Sequence, residues 1–514
     1  MKILIIIEYL INMFILLIFY MHMFQLNSYF FDKHIHWIKE HKKKILLEIL
    51  VVIVTTILLI FDNIYCSMLS IILLSILIFY NIPKNKAKIE FKITNRVKRM
   101  FIVQAILIFI IIAIDYQQYI FLKLCILNIL TPIICIISNF INYPIEYIRR
   151  KHYINEAKEI LISMPNLIVI GVTGSYGKTS VKNFLEKALE KKYEVLTTPK
   201  NYNTTMGIVK TIRENLKSTH QIFICEMGAT KVNDIKEICD IVKPKIGIIT
   251  SIGPQHLESF KNIENIIKAK LELANSVKEN KGTIFLNFDN KYLSKQHMEQ
   301  DYITYGVNND NLNYNAFNIK TYSKGSTFSM IDKVSNKEIK FKTKIIGVHN
   351  VVNIVGAIAI SNYLGIDLND LAFQIKGLKS VEHRLQLIAN NNLNIIDDSY
   401  NSNPISSKSA LDTLSQFEGI KVVVTPGLVE LGNDEEKYNY ELGEYACNVC
   451  DYIFLVNSKQ VKYVLKGIYS TNFNKNKVFN VNSPQDAIKQ ILNLNIKDKI
   501  TVLLENDLPD NYNL

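Results

Sequence analysis

The residues with the plainest chemical purpose are Thr173-Gly-Ser-Tyr-Gly-Lys-Thr-Ser180, which follow the apolar run Leu167-Ile-Val-Ile-Gly-Val172. That run is short enough to be a buried strand, and the spacing of Val181, Phe184, Leu185 and Leu189 after it is helical. The order is therefore strand, phosphate loop, helix. Gly174 and Gly177 allow the backbone to turn its N–H groups inward toward phosphate oxygens, and the start of the helix adds its positive dipole end. Lys178 is then placed to meet the terminal phosphates of a nucleotide, and the Thr179 hydroxyl a Mg²⁺ ion. The spacing departs from the usual G-x-x-x-x-G-K-[ST], because five residues separate Gly171 from Gly177. A glycine pair before a helix also suits a simple tight turn; the preceding strand and the following Lys-Thr point to a nucleotide.

Positioning such a loop requires a sheet, and the following residues supply one. Strands are expected at 193–198, 221–227, 244–252 and 282–288, with helices at about 206–217, 233–242 and 261–278 between them. The alternation implies a mainly parallel sheet covered on both faces, with ligands at the carboxyl ends of its strands. Glu226 closes Ile222-Phe-Ile-Cys-Glu226, from where a carboxylate reaches a Mg²⁺ held by Thr179. His256 follows the strand ending near 251–252 and is a candidate second metal ligand, although a lone loop histidine is ordinarily just solvated. Lys268 and Lys270 lie on a helix where a solvated face explains them equally well. Residues 302–346 read as short strands and turns, and 349–376 as two helices. A second alternation, with strands near 393–397, 421–425, 452–456, 478–481 and 500–504, looks like a separate C-terminal α/β domain.

The apolar residues are unevenly spread over the 514 positions. Five apolar segments, roughly 4–24, 45–61, 65–80, 100–114 and 119–141, read as membrane spans, the middle three at the short end of the about 17–25 residues needed. Lys33, Lys39, Lys42, Lys43 and Lys44 fall between the first and second, Lys84, Lys86, Lys88, Lys92, Arg96, Lys98 and Arg99 between the third and fourth, and Arg149, Arg150 and Lys151 after the fifth. The turns near Asp62-Asn63 and Asp115-Tyr116-Gln117-Gln118 carry no basic residue. Five spans with an outside N-terminus put every basic loop, and the phosphate loop, in the cytoplasm. The expected location is thus the cell membrane, multi-pass, with the soluble domains cytoplasmic. That topology also accounts for a net charge of +12 without invoking nucleic acid. The segments are expected to be an anchor, nearly free of interior charge, and Glu48 is expected to reach the interface beside the basic loop. The seven cysteines show no disulfide spacing, and Cys447-Asn-Val-Cys450, alone in a helical stretch, lacks a second pair for zinc.

Beyond the phosphate loop, Asn201-Tyr-Asn-Thr-Thr-Met-Gly207, Glu226-Met-Gly228, His256-Leu-Glu258, Lys268-Ala-Lys270, Gly347-Val-His-Asn-Val-Val-Asn353, His383-Arg384 and Asp397-Asp-Ser-Tyr-Asn-Ser-Asn-Pro404 occur in order over about 350 residues. Together they resemble the Mur ligase family, ATP-dependent enzymes of cell-wall precursor synthesis, and within it the type that adds D-alanyl-D-alanine. The resemblance does not extend to the first 150 residues. Besides the helical membrane region at 1–150 read from the apolar segments, it implies a central parallel-sheet ATP-binding domain at 151–378 and a Rossmann-like C-terminal α/β domain at 379–514. It implies that Gly174, Ser175, Gly177, Lys178, Thr179 and Ser180 hold the triphosphate, that Thr179, Glu226, His256 and Lys270 serve the metal, and that Lys270 is carbamylated. Asn353 resembles an adenine contact, Asp398 a ribose contact and Arg384 a phosphate contact from the C-terminal domain. Asn201, Asn203, Thr204, Tyr400, Asn401 and Asn403 resemble substrate contacts. Lys178, Lys270, His256 and Arg384 are the implied catalytic set, with ATP and Mg²⁺ as cofactors.

The implied reaction is an amide ligation. A muramyl-tripeptide carboxylate takes the γ-phosphate of ATP, and the D-alanyl-D-alanine amine attacks the acyl phosphate. With Arg384 in another domain, the site is expected to be complete only when the two domains close. Membrane lipid and wall-synthesis proteins are expected partners. The sequence lacks the family's domain for the uridine nucleotide, which suggests a lipid-linked acceptor, and Leu503-Leu-Glu-Asn-Asp-Leu-Pro-Asp510 departs from the basic ending of the family. Alternatives are another amide ligase of the superfamily or a non-catalytic, membrane-anchored nucleotide-binding regulator. An amidotransferase-partnered zinc branch is disfavoured by the absence of a four-cysteine cluster.

Overall fold

A computed structural model describes the chain except at residues 82–89, 114–118, 200–201, 297–300, 333–336, 390–392, 401, 495–497 and 508–514. Asn201, Asn401, the turn at 115–118, and the basic residues at 84, 86 and 88 lie outside the described residues. The chain divides into two compact units, Met1–His152 and Tyr153–Leu508.

The first unit is helical: α1 (Lys2–Leu26), α2 (Phe31–Glu40), α3 (Lys42–Ile60), α4 (Ile64–Asn81), α5 (Asn95–Ala113) and α6 (Ile120–Ile162), the last running on into the second unit. Helix α2 falls in the basic stretch where no element was expected. Only α1, α4 and α6 are long and apolar enough to cross a membrane, so the expectation of five spans is corrected to three such helices among the described residues. The reason is charge: every eighteen-residue window of α3 holds Lys43, Lys44 and Glu48, and every one of α5 holds Arg96, Lys98 and Arg99.

The interior of this bundle is apolar, with polar contacts buried inside it. Asn12 donates to Asn128 Oδ1 at 2.9 Å and accepts from Asn81 at 3.3 Å, and the Tyr9 hydroxyl lies 2.9 and 2.7 Å from those of Thr55 and Thr56. Glu48 is 4% exposed and accepts from Tyr20 at 3.3 Å. It is held inside rather than reaching outward beside the basic loop, which corrects that expectation.

The second unit begins with β1 (Ile168–Thr173) and α7 (Lys178–Leu189), followed by β2 (Val195–Thr197), α8 (Thr205–Asn215), β3 (Ile222–Glu226), α9 (Asp234–Val242), β4 (Ile246–Ile249), α10 (Leu257–Phe260), α11 (Ile263–Glu279) and β5 (Thr283–Asn287). The chain then adds β6 (Tyr302–Val307), β7 (Tyr314–Tyr322), β8 (Gly325–Asp332) and β9 (Lys337–Thr343), and covers one face of the sheet with α12 (Val348–Tyr363) and α13 (Leu368–Lys376). The nine strands lie in the order β2-β3-β1-β4-β5-β6-β7-β8-β9, parallel through β7 and antiparallel after it. With β3 and β4 flanking β1, the ends of all three strands share one edge. Ligands of open α/β sheets bind at that edge.

The C-terminal sheet is β10 (Gln386–Ala389), β11 (Leu393–Asp398), β12 (Ile420–Thr425), β13 (Tyr452–Val456), β14 (Val478–Val481) and β15 (Ile500–Glu505), ordered β10-β11-β15-β12-β13-β14. Helices α14 (Pro404–Ser415), α15 (Glu435–Val449), α16 (Val461–Tyr469) and α17 (Pro484–Asn493) accompany it. Only β10 is antiparallel, and it is the one strand here that the alternation did not indicate. Cys447 lies in α15 and Cys450 caps it; both are free thiols. One apolar cluster joins the two halves: Ile252, Leu257, Phe260 and Ile346 pack in the same core as Leu385, Leu411, Leu428 and Leu431.

Candidate active site

The loop between β1 and α7 is built against the segment after β4. Gly174 has φ 153° and Gly177 φ 81°, and a Cβ on Gly174 would fall 2.0 Å from Thr250 Oγ1. Only glycine permits that approach. Ser175 N donates to Ser251 O at 2.8 Å, Tyr176 N to Ser251 Oγ at 2.8 Å, and Gly253 N to Ser175 Oγ at 3.0 Å. Ser175 is 1% exposed, so its hydroxyl fastens the loop, while the turn ends on the first residues of α7. Asn353 of α12 closes the other side, with its Oδ1 2.6 Å from where a Cβ on Gly177 would lie.

Lys178 folds back on the turn, donating to Gly174 O at 2.6 Å and Ser175 O at 3.3 Å. Burial pushes its pKa down to about 8; the Glu226 carboxylate opposes the shift and the Arg384 guanidinium adds to it. Thr179 Oγ1 donates to Glu226 Oε1 at 3.2 Å, and Asn203 Nδ2 donates to the same oxygen at 3.2 Å. Glu226 Oε2 faces Lys182 Nζ at 3.1 Å, with the two side chains 2% and 3% exposed, and Lys182 also donates to Thr198 O at 2.9 Å. Glu226 N in turn donates to Thr198 Oγ1 at 3.1 Å. The carboxylate at the end of β3 is thus fixed at both oxygens.

The C-terminal half contributes Arg384, whose guanidinium stacks 4.3 Å from the centre of the Tyr400 ring. Burial lowers its pKa, opposed by the charges of Asp398, Tyr400 and Glu226. Arg384 therefore belongs to one electrostatic site with Lys178 and Glu226. Asp398 accepts from Leu385 N at 3.0 Å; burial raises its pKa to about 6 despite Arg384. Glu505, at the end of β15, is fully buried, accepts from the Ser402 hydroxyl, and is pushed up to about 8 by burial and by Asp398.

His256 has φ 53°, and its Nδ1 is hydrogen-bonded to Glu430 Oε2 from the loop after β12. Lys270 on α11 is 3% exposed, and burial, reinforced by the charge of Lys178, drives its pKa well below 10.5. Lowering the pKa of a lysine favours its free amine, the form that reacts with CO₂. Among the described residues no three His, Cys, Asp or Glu side chains converge as a metal-binding group. Mg²⁺ is usually held by one or two carboxylates together with phosphate and water. The Thr179 hydroxyl and Glu226 carboxylate, adjacent at the mouth of the loop, fit that requirement.

The structure thus brings Gly174, Gly177, Lys178, Thr179, Glu226, Asn203, Asn353 and Arg384 together. Several other expected contacts have local tasks. Thr204 caps α8 by accepting from Gly207 N at 3.3 Å, Asn403 caps α14 through Ile405 N and Ser406 N at 3.0 and 3.1 Å, and Ser180 is 7% exposed. Tyr400 is 41% exposed beneath Arg384. Sequence reasoning missed Lys182 and Glu430. The position of Lys182, four residues after Lys178 and on the same helix face, was a usable signal; nothing local marks Glu430.

Comparison with known proteins matches residues 172–361 to the Mur ligase middle domain and 383–505 to the Mur ligase, glutamate ligase domain. Among curated proteins, the chain is 32% identical over 278 residues to the UDP-N-acetylmuramoyl-tripeptide--D-alanyl-D-alanine ligase of Bacillus subtilis, covering 54% of this chain and 59% of that one. It is 30% identical over 283 residues to the Escherichia coli ligase of the same name, covering 54% and 62%. The chain therefore spans about three fifths of the length of these relatives. Among solved structures it resembles the MurF ligase from Thermotoga maritima in complex with ADP, with a TM-score of 0.63, 25% identity, and coverage of 70% of this chain and 80% of that one. The multi-pass cell-membrane location expected from sequence is corrected here: the matched ligases offer no support for it, and the apolar character of the N-terminal helices alone shows no membrane. The two ligase domains occur in order, span more than half of the chain between them and carry the phosphate loop, and on that ground this chain belongs to the Mur ligase family.

Proposed function

We propose that the chain is an ATP-dependent amide ligase that adds D-alanyl-D-alanine to a muramyl-tripeptide acceptor. The observation that carries this reading is the convergence of Lys178, Glu226 and Arg384 from two sheets on one loop. ATP lies with its phosphates on the turn at 174–179, where backbone N–H groups and Lys178 neutralise their charge. Thr179 and Glu226 would hold a Mg²⁺ ion, which would supply charge neutralisation and alignment of the phosphates. Arg384 stabilises the charge that develops as the acceptor carboxylate takes the γ-phosphate. The D-alanyl-D-alanine amine then attacks the acyl carbonyl: the amide C–N bond forms, the acyl C–O bond to phosphate breaks, and inorganic phosphate leaves. Burial pushes the pKa of Lys270 down, which favours the free amine; carbamylation by CO₂ releases a proton and turns the side chain into an anion near Lys178. We assign 1–150 to the helical region, 151–378 to the ATP-binding domain and 379–514 to the C-terminal domain.

A second reading, an amide ligase with a different amine substrate, is supported by the acidic ending Leu503-Leu-Glu-Asn-Asp-Leu-Pro-Asp510, which departs from the basic ending of the family. One assay addresses both: ATP hydrolysis measured with a muramyl tripeptide and D-alanyl-D-alanine, alone and together, with the product weighed by mass spectrometry. Hydrolysis that needs both and yields the pentapeptide supports the first reading. Hydrolysis with the acceptor and another amine supports the second.

A further inference from the structure

The contact between His256 and Glu430 crosses the boundary between the two halves of the second unit. His256 sits on the loop after β4 of the nucleotide-binding sheet, and Glu430 on the loop after β12 of the C-terminal sheet. Both are non-glycine residues in the left-handed region, at φ 53° and 62°. Such backbone persists where the surroundings over-determine it.

Both loops are indeed pinned from behind. On one side, Leu257 and Phe260 are buried, Phe260 N donates to His256 O at 3.0 Å, and Asn290 Nδ2 donates to Ile252 O at 2.8 Å. On the other, Leu428 and Leu431 are buried, Asn439 both accepts from Leu428 N at 2.8 Å and donates to Leu428 O at 2.9 Å, and Asn506 donates to Gly427 O at 2.7 Å. The two backbones meet where Glu258 N donates to Glu430 O at 3.3 Å. The side chains of His256 and Glu430 are 24% and 32% exposed, and the hydrogen bond between them would contribute little at an ordinary surface. Here both ends are held on fixed supports.

We propose that Glu430 is a positioning residue: across the domain boundary it holds the His256 imidazole with Nδ1–H toward the carboxylate, leaving Nε2 as the electron-pair donor. Histidines that ligate metals nearly always give their other ring N–H to a carboxylate or carbonyl, which fixes tautomer and ring orientation. The carboxylate here comes from the opposite domain. A metal at the nucleotide site is therefore held at full strength only when the C-terminal half is docked, so metal binding and docking favour one another. The inference rests on the proposed ligase function and on the expectation, implied by the family resemblance, that His256 is a metal ligand at the nucleotide site.

The test uses the full chain with Mn²⁺ as probe, its binding followed by electron paramagnetic resonance in the presence of ATP. Glu430→Ala is expected to weaken Mn²⁺ about 10- to 100-fold, and Glu430→Gln, whose amide oxygen still accepts from Nδ1, less. Glu430→Gln also serves if the alanine variant does not fold. In the His256→Ala background the effect of Glu430→Ala should vanish, and ¹⁵N resonances of His256 should change from a single tautomer to a mixture in Glu430→Ala. Unchanged Mn²⁺ affinity in Glu430→Ala, or an equal loss with His256 already removed, overturns the inference. Normal Mn²⁺ binding by His256→Ala in a chain that forms the amide overturns it too and leaves the proposed function standing. A wild type that binds Mn²⁺ and ATP, shows the Glu430 effect and forms no amide overturns the function and leaves the inference.

Discussion

Lys182→Met tests the most enclosed charge pair of the site. The lysine and Glu226 are almost without solvent contact and 3.1 Å apart, and Glu226 and the Thr198 carbonyl are among the groups that replace water around Lys182. Methionine keeps nearly the same length and removes the charge, leaving Glu226 Oε2 buried opposite a thioether. Breaking a buried pair from one side costs about 3–5 kcal/mol, whereas replacing both members by neutral groups is often close to neutral. With the entropy of unfolding expected for a unit of this size, the single variant should melt on the order of 5 °C lower. Lys182→Met/Glu226→Gln should regain most of that loss. The melt is read by far-ultraviolet circular dichroism, and an internal control is available. The one tryptophan, Trp37, belongs to the first unit, so its emission should hold steady while the ellipticity shifts. A Lys182→Met chain that melts with the wild type, or a double variant no more stable than the single, would refute the claim that the pair is desolvated and mutually dependent.

Three further outcomes follow from the same geometry. Gly177→Ala must place a Cβ 2.6 Å from Asn353 Oδ1 at φ 81°, so ATP affinity by titration calorimetry should fall at least about tenfold, equivalent to about 1.4 kcal/mol; unchanged affinity contradicts the loop geometry. Lys178, with its pKa near 8 in the nucleotide-free protein, is charged below that pH and must regain a proton to meet phosphate above it. ATP affinity should accordingly be full below pH about 8 and decline above it, with proton uptake visible as a buffer-dependent binding enthalpy. Glu505 has a folded-state pKa of about 8 against an ordinary 4.5; the native state binds the extra proton between those values, so stability falls as pH rises through that window. Glu505→Gln should flatten that part of the stability profile measured by urea unfolding, and an unchanged slope argues against a protonated Glu505.

The parts of the site set by local order were legible. The strand, turn and helix around Lys178 follow from a six-residue apolar run, two glycines and helical spacing, and the alternation behind them puts Glu226 and His256 at strand ends. Side chains that serve their own backbone were harder to separate from those that face a ligand. Asn403 before Pro404 and Thr204 before α8 both carry the signature of a helix cap, and the structure uses them so. Lys182 reads as one more polar residue on an amphipathic helix until β3 is brought beside α7. Glu430 depends on two loops separated by 174 residues, a distance over which spacing carries no information. The apolar N-terminal segments were recognised as helices, but hydropathy did not reveal the amides between them or the charges at the ends of α3 and α5.

Those amides restrict the order of the first unit more than its apolar surface can. Greasy faces slide past one another at small cost, and a bundle of leucine and isoleucine alone would have many near-equal packings. A chain of carboxamides from Asn81 through Asn12 to Asn128 admits one alignment, because a shift of any of the three helices by a single turn strands donors and acceptors in a water-poor interior. Swapping Asn12 for leucine is thus a change in the number of ways the helices can settle, and should appear as heterogeneity before it appears as unfolding.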